Sequence, residues 1–277
     1  PFRRVGYGTV MPAKPFDPTM DLVDALAARG LVAVVGAGGK KTTLYTLADR
    51  LDRALVTATV RIPIFDEHVS RVAVTDDPVA AVERADAADW PLGVVPDRDK
   101  KNRYRGYETD VVDELADAVL GDSTRELQGG DAGAVESVLV KADGARNRLL
   151  KAPNEREPQI PATADTVLPI ASARVVGEPL TDEHVHRVDR VAAISGRSEE
   201  DEIEAADVAA VLASPDGALK DAPADATVIP VVNMADTPEL ADVGREIAAG
   251  VLDRTDRVDR VALTRMNRGE VVDVVER

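Results

Sequence analysis

The sequence predicts an α/β protein, a three-layer P-loop NTPase-like fold with a mainly parallel sheet flanked by helices. Three observations carry this. Apolar, β-branched runs alternate with segments of helical periodicity along most of the chain, the pattern of strands joined by crossover helices. The first such run, residues 31–35, opens into Gly36-Ala37-Gly38-Gly39-Lys40-Lys41-Thr42-Thr43, which offers the glycines, ammonium and hydroxyl that a polyphosphate requires. A later run ends in Val140-Lys141-Ala142-Asp143-Gly144-Ala145-Arg146, an acid followed by cations.

In chain order, residues 1–19 are rich in Pro and Gly and read as an N-terminal arm, leaving residues 20–277 as a single α/β domain. A helix opens at Met20 and ends near Gly30. Residues 31–35 form the first strand, 42–51 the helix after the glycine turn, and 54–60 a second strand carrying Thr57 and Thr59. Residues 72–75 are a third strand. Residues 91–96 lead into a loop over 97–107 that is dense in Lys, Arg and Tyr, and 110–120 has helical spacing. After a connection over 121–133 come strands at 135–140 and 167–170. A helix falls within 181–195, capped by Thr181 or Asp182, and another covers 205–213. Residues 227–232 are a late buried strand, 238–252 a helix, and 260–264 with 271–274 the closing strands.

The 277 residues, 44% of them hydrophobic, suffice for a real core. The net charge of −16 is spread along the chain, which reads as a solvated surface of the kind a halophilic cytosol favours and excludes nucleic acid as a partner. The absence of cysteine excludes disulfides, thiolate nucleophiles and Cys-based metal sites. No apolar stretch approaches the roughly 20 residues that span a bilayer, and the start lacks a signal peptide's apolar segment, so no membrane partner and a soluble, cytoplasmic location are expected.

The glycine turn is a shortened form of the phosphate loop, G-x-x-G-K. Gly36, Ala37, Gly38, Gly39, Lys40, Lys41, Thr42 and Thr43 are its candidate nucleotide contacts. Either lysine fits the β/γ phosphates; Lys40 is favoured, with Thr42 as the hydroxyl on a magnesium ion. Asp143, at a strand end, has the position from which a carboxylate reaches that metal. Arg146, Arg148 and Lys151 follow, suited to neutralising charge on a transferring group. Lysines concentrate in these loops: Lys40, Lys41, Lys100, Lys101, Lys141 and Lys151, with only Lys14 and Lys220 elsewhere. His184 and His186 point apart on a helix but share a face if extended, and suit proton transfer or phosphate contact better than metal ligation. Asn233-Met234-Ala235-Asp236 resembles the N-K-x-D guanine-reading element with Met in place of Lys, while Asn and Asp are also ordinary turn residues.

Several of these stretches together resemble the YqeC family, whose members are regarded as accessory proteins of selenium-dependent molybdenum hydroxylases. The matching segments are residues 34–43 for the glycine loop, 56–61 for the Thr-rich strand end and 100–106 for a Lys-and-Gly loop. Residues 141–161 match the signature E-A-D-G-[AS]-x-x-x-P-L-K-A-P-x-x-x-E-P-x-I-P, and 184–187 match H-V-H-R. Lys141 stands where the family has Glu, Lys41, Ala58 and Val60 where it has Thr, and Leu149 where it has Pro. The resemblance implies a P-loop protein that binds ATP or GTP with Mg2+ and takes part in maturing a client molybdenum hydroxylase.

The residues and the resemblance lead to one expectation. An NTP-dependent enzyme performs phosphoryl or nucleotidyl transfer, or NTP hydrolysis, on an anionic small-molecule or cofactor substrate. Lys40, Asp143, Arg146, Lys151, His184 and His186 form its catalytic set, Asn233 and Asp236 its base contacts. Two alternatives remain open from sequence. One is a non-enzymatic, nucleotide-dependent switch or chaperone in which residues 97–107 dock onto a client hydroxylase. The other is a ligase of the amino-acid-adding type, which would act on a carboxylate and release ADP.

Overall fold

The computed structural model describes residues 20–99, 101–120 and 134–277. The expected arm, Lys100 and the connection over 121–133 lie outside the described residues. Ten strands make the main sheet: β1 (Gly30–Gly36), β2 (Ala54–Ala58), β3 (Arg71–Val74), β4 (Leu92–Val95), β5 (Ser137–Lys141), β6 (Thr166–Ser172), β7 (Thr227–Val228), β8 (Val231–Asn233), β9 (Arg260–Arg265) and β10 (Glu270–Glu276). Their order is β10-β9-β8-β6-β1-β5-β2-β4-β3, with the short β7 also paired to β6. Every pairing is parallel except the closing β9–β10 hairpin. The α/β class and the flanked, mainly parallel sheet expected from sequence are therefore the architecture observed.

Burial explains why the central strands read as continuous apolar runs, since a parallel sheet is covered on both faces. Along β1, Leu31, Ala33 and Val35 join one core while Val32 and Val34 join the other. Helices α1 (Leu22–Ala25) and α2 (Lys40–Ala48) cover the second face. There Leu44 and Leu47 are fully buried, each worth about 1.5–3 kcal/mol. Of the remaining helices, α3 (Pro78–Glu83) lies beside α4 (Thr109–Val119). Helices α4, α5 (Val188–Ser195), α6 (Ala205–Ala213) and α7 (Pro238–Arg254) all contribute to the first core. Among the described residues no helix is long and apolar enough to cross a membrane.

Four local expectations are corrected. The 181–195 segment is not capped by Thr181 or Asp182: α5 begins at Val188 after Arg187, which sits in the left-handed region at φ 69°. Ahead of it, Val185–His186 is extended and pairs in parallel with Leu150–Lys151, so the two histidines precede the helix. The late strand is split into β7 and β8 around Pro230, whose missing N–H interrupts a ladder. Residues 97–107 are not simply a loop: Arg103–Tyr104 pairs antiparallel with Ile62–Pro63, and Tyr107 donates its N–H to the Ala58 carbonyl at 2.9 Å.

Strand order places the site. Chain leaving β1 crosses to β2 on one side, with β5 between them, whereas β6 and β8 lie on the other side. Such a divergence opens a crevice beyond the carboxyl ends of the strands. Gly36, Ala58, Lys141, Ser172 and Asn233 all end their strands at that rim.

Candidate functional site

Backbone geometry requires glycine in the loop after β1. At Gly36, φ is 89° and an added Cβ would lie 2.3 Å from the Ile170 carbonyl oxygen; at Gly39, φ is 136° and a Cβ would lie 2.2 Å from the Asn233 amide nitrogen. A side chain at either would meet both left-handed strain and a clash. Gly39 is the N-cap of α2, with no side chain capping the helix. Among the described residues, no acceptor takes the N–H groups of Gly38, Gly39, Lys40, Lys41 or Thr42; the neighbouring bonds are Ala37 N–H to the Ile170 carbonyl at 2.8 Å and Thr43 N–H to the Gly39 carbonyl at 2.9 Å. Five consecutive free donors at the positive end of a helix form a ready anion site.

Beneath this loop lies a largely buried ionic cluster. Lys40 is 6% exposed and donates to the Gly36 carbonyl, while its Nζ lies 3.0 Å from Asp143 Oδ1. Asp143 is 2% exposed. Its Oδ2 accepts from the Gly36 N–H at 2.8 Å and from Lys151 Nζ at 2.7 Å. Its Oδ1 faces the Lys40 ammonium and takes no other donor among the described residues. Lys151 also donates to the Gly144 carbonyl and to Glu157 Oε2 at 2.8 Å. Arg187 meets the same Glu157 oxygen at 2.6 Å. Lys141 donates to the Arg61 carbonyl at 3.0 Å and the Asp143 carbonyl at 2.7 Å.

Four cations, Lys40, Lys141, Lys151 and Arg187, thus surround two carboxylates, Asp143 and Glu157. Burial pushes the Lys40 ammonium below the usual lysine range, against the pull of Asp143. Burial, reinforced by the Lys40 and Lys151 charges, brings Lys141 down to about 7. Burial would raise Asp143, but Lys40, Lys151 and the Gly36 N–H hold its carboxyl below the ordinary range. Glu157 behaves likewise under Lys151 and Arg187. The cluster is biased toward positive charge, and a buried excess of that kind favours an incoming anion.

The expected residues are distributed unevenly around this cluster. Lys40, Asp143 and Lys151 meet directly, although both neighbouring carboxylates already hold the Lys151 ammonium. Lys41 is half-buried and Thr42 exposed, while Thr43 is buried with its hydroxyl donating to the Gly39 carbonyl at 3.2 Å. Arg146 is exposed and Arg148 half-buried, neither paired with a carboxylate among the described residues. His184 Nε2 lies 3.4 Å from a Glu178 carboxylate oxygen. Burial, then Arg187 and Lys151, lower His186 to about 4, which leaves it neutral at pH 7. Asn233 is committed to structure: its amide donates to the Gly38 carbonyl at 2.8 Å, and its oxygen accepts from the Thr264 hydroxyl and the Met266 N–H, both at 3.1 Å. Asp236 is paired with Arg174.

Sequence reasoning named neither Glu157 nor Arg187 as site residues. Both stand inside the two stretches that carry the family resemblance, which is the signal that points to them. Among the described residues no group of three or more His, Cys, Asp or Glu side chains could hold a metal. A metal carried on phosphates needs fewer, since Mg2+ is commonly held by one or two carboxylates together with substrate oxygens. Asp143 Oδ1, which faces the Lys40 ammonium at 3.0 Å, meets that requirement only when Lys40 turns away from it.

The family model described as YqeC protein matches residues 32–189, a span that includes the glycine loop, Asp143, Lys151, Glu157 and Arg187. The chain is similar to a protein from Escherichia coli strain K12 named "Uncharacterized protein YqeC", 27% identical over 213 residues, covering 75% of this chain and 77% of the relative. No solved structure matches.

Proposed function

The chain belongs to the YqeC family, and from that premise we propose that it binds a magnesium nucleoside triphosphate, ATP or GTP, across the loop from Gly36 to Thr43. The carrying observation is the run of uncommitted N–H groups from Gly38 to Thr42 above the buried Lys40–Asp143 pair. The phosphates would take up those donors, and the Lys40 ammonium, now turned onto the Gly36 carbonyl, is the cation the loop itself offers them. Asp143 Oδ1 and the Thr42 hydroxyl would hold Mg2+, which neutralises charge on the phosphate oxygens when bound.

The reaction class this supports is phosphoryl or nucleotidyl transfer, or NTP hydrolysis, where catalysis rests on positioning and electrostatics. Arg146 and Arg148, on the loop that crosses from Asp143 to Lys151, grip an anionic substrate. His186 is neutral at working pH and suits hydrogen bonding to the substrate. Residues 20–277 act as one unit in this reading. The family resemblance supports a role in maturing a molybdenum hydroxylase, with the hydroxylase as client.

Titration of the purified protein with fluorescent ATP and GTP analogues in magnesium tests the proposal. Saturable binding that Lys40→Ala abolishes, with the variant's circular dichroism unchanged, is expected. No binding of either nucleotide would end it.

A further inference from the structure

The end of β8 carries a second feature of the same rim. Asn233 ties this strand end to the phosphate loop through the Gly38 carbonyl. Met234 then turns through the left-handed region at φ 62°, and the Ala235 N–H is fixed on the Thr264 carbonyl at 3.1 Å. Asp236 emerges next, partly buried. Three residues of chain span at most about 10 Å, so the Asp236 carboxylate stands within a nucleoside's reach of the loop. A second route leads to the same place. Ser172, which would touch a Cβ on Gly38, lies two residues before Arg174, and Arg174 is the partner of Asp236.

A carboxylate only accepts hydrogen bonds, and it can accept two side by side. Guanine presents an adjacent pair of donors, the ring N1–H and the C2 amino group. Adenine presents an acceptor at N1 and no amino group at C2. We propose that Asp236 reads this edge of the base, so that the nucleotide of this site is a guanosine rather than an adenosine phosphate. The inference rests on the nucleotide reading above and deepens it.

The Arg174 side chain is 54% exposed and that of Asp236 19%, so the arginine can swing out into solvent and yield its place to an incoming base. Freed, the guanidinium plane remains beside the base to stack on it. Met234, whose sulfur accepts from the Ser172 hydroxyl at 3.1 Å, supplies an adaptable apolar contact where a longer cation would otherwise stand.

Calorimetric titration of the intact protein with GTP, ATP and xanthosine triphosphate in magnesium tests this, on the wild type and on Asp236→Asn. The wild type should prefer GTP over ATP by about tenfold or more, the scale of a lost charged hydrogen bond. Asp236→Asn should lose that preference and gain xanthosine triphosphate, because an amide donates to the C2 carbonyl of xanthine while accepting from its N1–H. Asp236→Ala should lose the preference without the gain. Equal binding of ATP and GTP by the wild type, or an unchanged preference in Asp236→Asn, would overturn the assignment while leaving nucleotide binding intact, provided Lys40→Ala removes both. Failure of every nucleotide to bind the wild type would overturn the nucleotide reading, and this inference with it.

Discussion

The Asn233 side-chain amide donates to the Gly38 carbonyl at 2.8 Å across 195 residues of sequence, while its oxygen accepts from Thr264 and Met266. One buried residue therefore fixes the glycine loop to the ends of β8 and β9. Asn233→Ala would strand three buried polar groups, and a loss of about 2–4 kcal/mol is expected. Urea unfolding measures it; a change under about 0.5 kcal/mol, the size of a neutral surface substitution, would show that the brace is dispensable.

Glu157 holds Lys151 and Arg187 together at 2.8 and 2.6 Å. Breaking a buried pair costs about 3–5 kcal/mol, but the Glu157 side chain is 19% exposed, so Glu157→Gln should cost less, about 1–3 kcal/mol. Denaturant midpoints check this, and Glu157→Asp should recover little, being too short to keep both cations.

Two glycines near the same rim should respond unequally to a methyl group. Gly39→Ala meets the Asn233 nitrogen at 2.2 Å with φ at 136°, and strain of that kind costs about 1–3 kcal/mol. Gly144→Ala meets only Glu157 Oε1, at 3.5 Å, an ordinary contact, and should stay within about 0.5 kcal/mol of the wild type. Thermal melts of the two variants should separate clearly; equal losses would contradict the loop geometry.

How far the sequence leads is visible in these same residues. Alternating apolar runs locate the central strands because a doubly covered sheet leaves few polar positions in them, and α6 (Ala205–Ala213) coincides with the segment its periodicity predicts. Helix α3 escapes such reading. It spans only Pro78–Glu83 and is defined by a Pro at its start and an Asp77 cap on the Ala80 N–H, too short for periodicity to register. The start of α5 escapes too, because Thr181 and Asp182 look like caps while the actual N-cap is Arg187 in a left-handed turn. At the site, the glycine loop and Asp143 are legible since each follows an apolar run. The roles of Arg187 and Asn233 are not, because their partners Glu157 and Gly38 lie 30 and 195 residues away in sequence, and that of Glu157 is not, because it rests on holding Arg187 as well as the nearby Lys151.

Acid sensitivity follows from His186. Burial, with Arg187 and Lys151 nearby, lowers it from 6.5 to about 4 in the folded chain, so the unfolded chain takes up the proton first as pH falls. The stability contributed by neutral His186 is complete above pH 6.5 and lost progressively down to about pH 4. His186→Gln should flatten the melting-temperature profile across that window. Parallel profiles for the two proteins would contradict the burial of the imidazole.

Amide hydrogen exchange at Gly38 to Thr42, followed by NMR with and without a magnesium nucleotide, tests the central claim most directly. The N–H groups of that segment have no acceptor among the described residues, so they should exchange fast in the free protein and slow markedly once phosphate oxygens receive them. Exchange that stays fast at saturating nucleotide, or protection that appears only elsewhere on the chain, would contradict the assignment of this loop as the phosphate site.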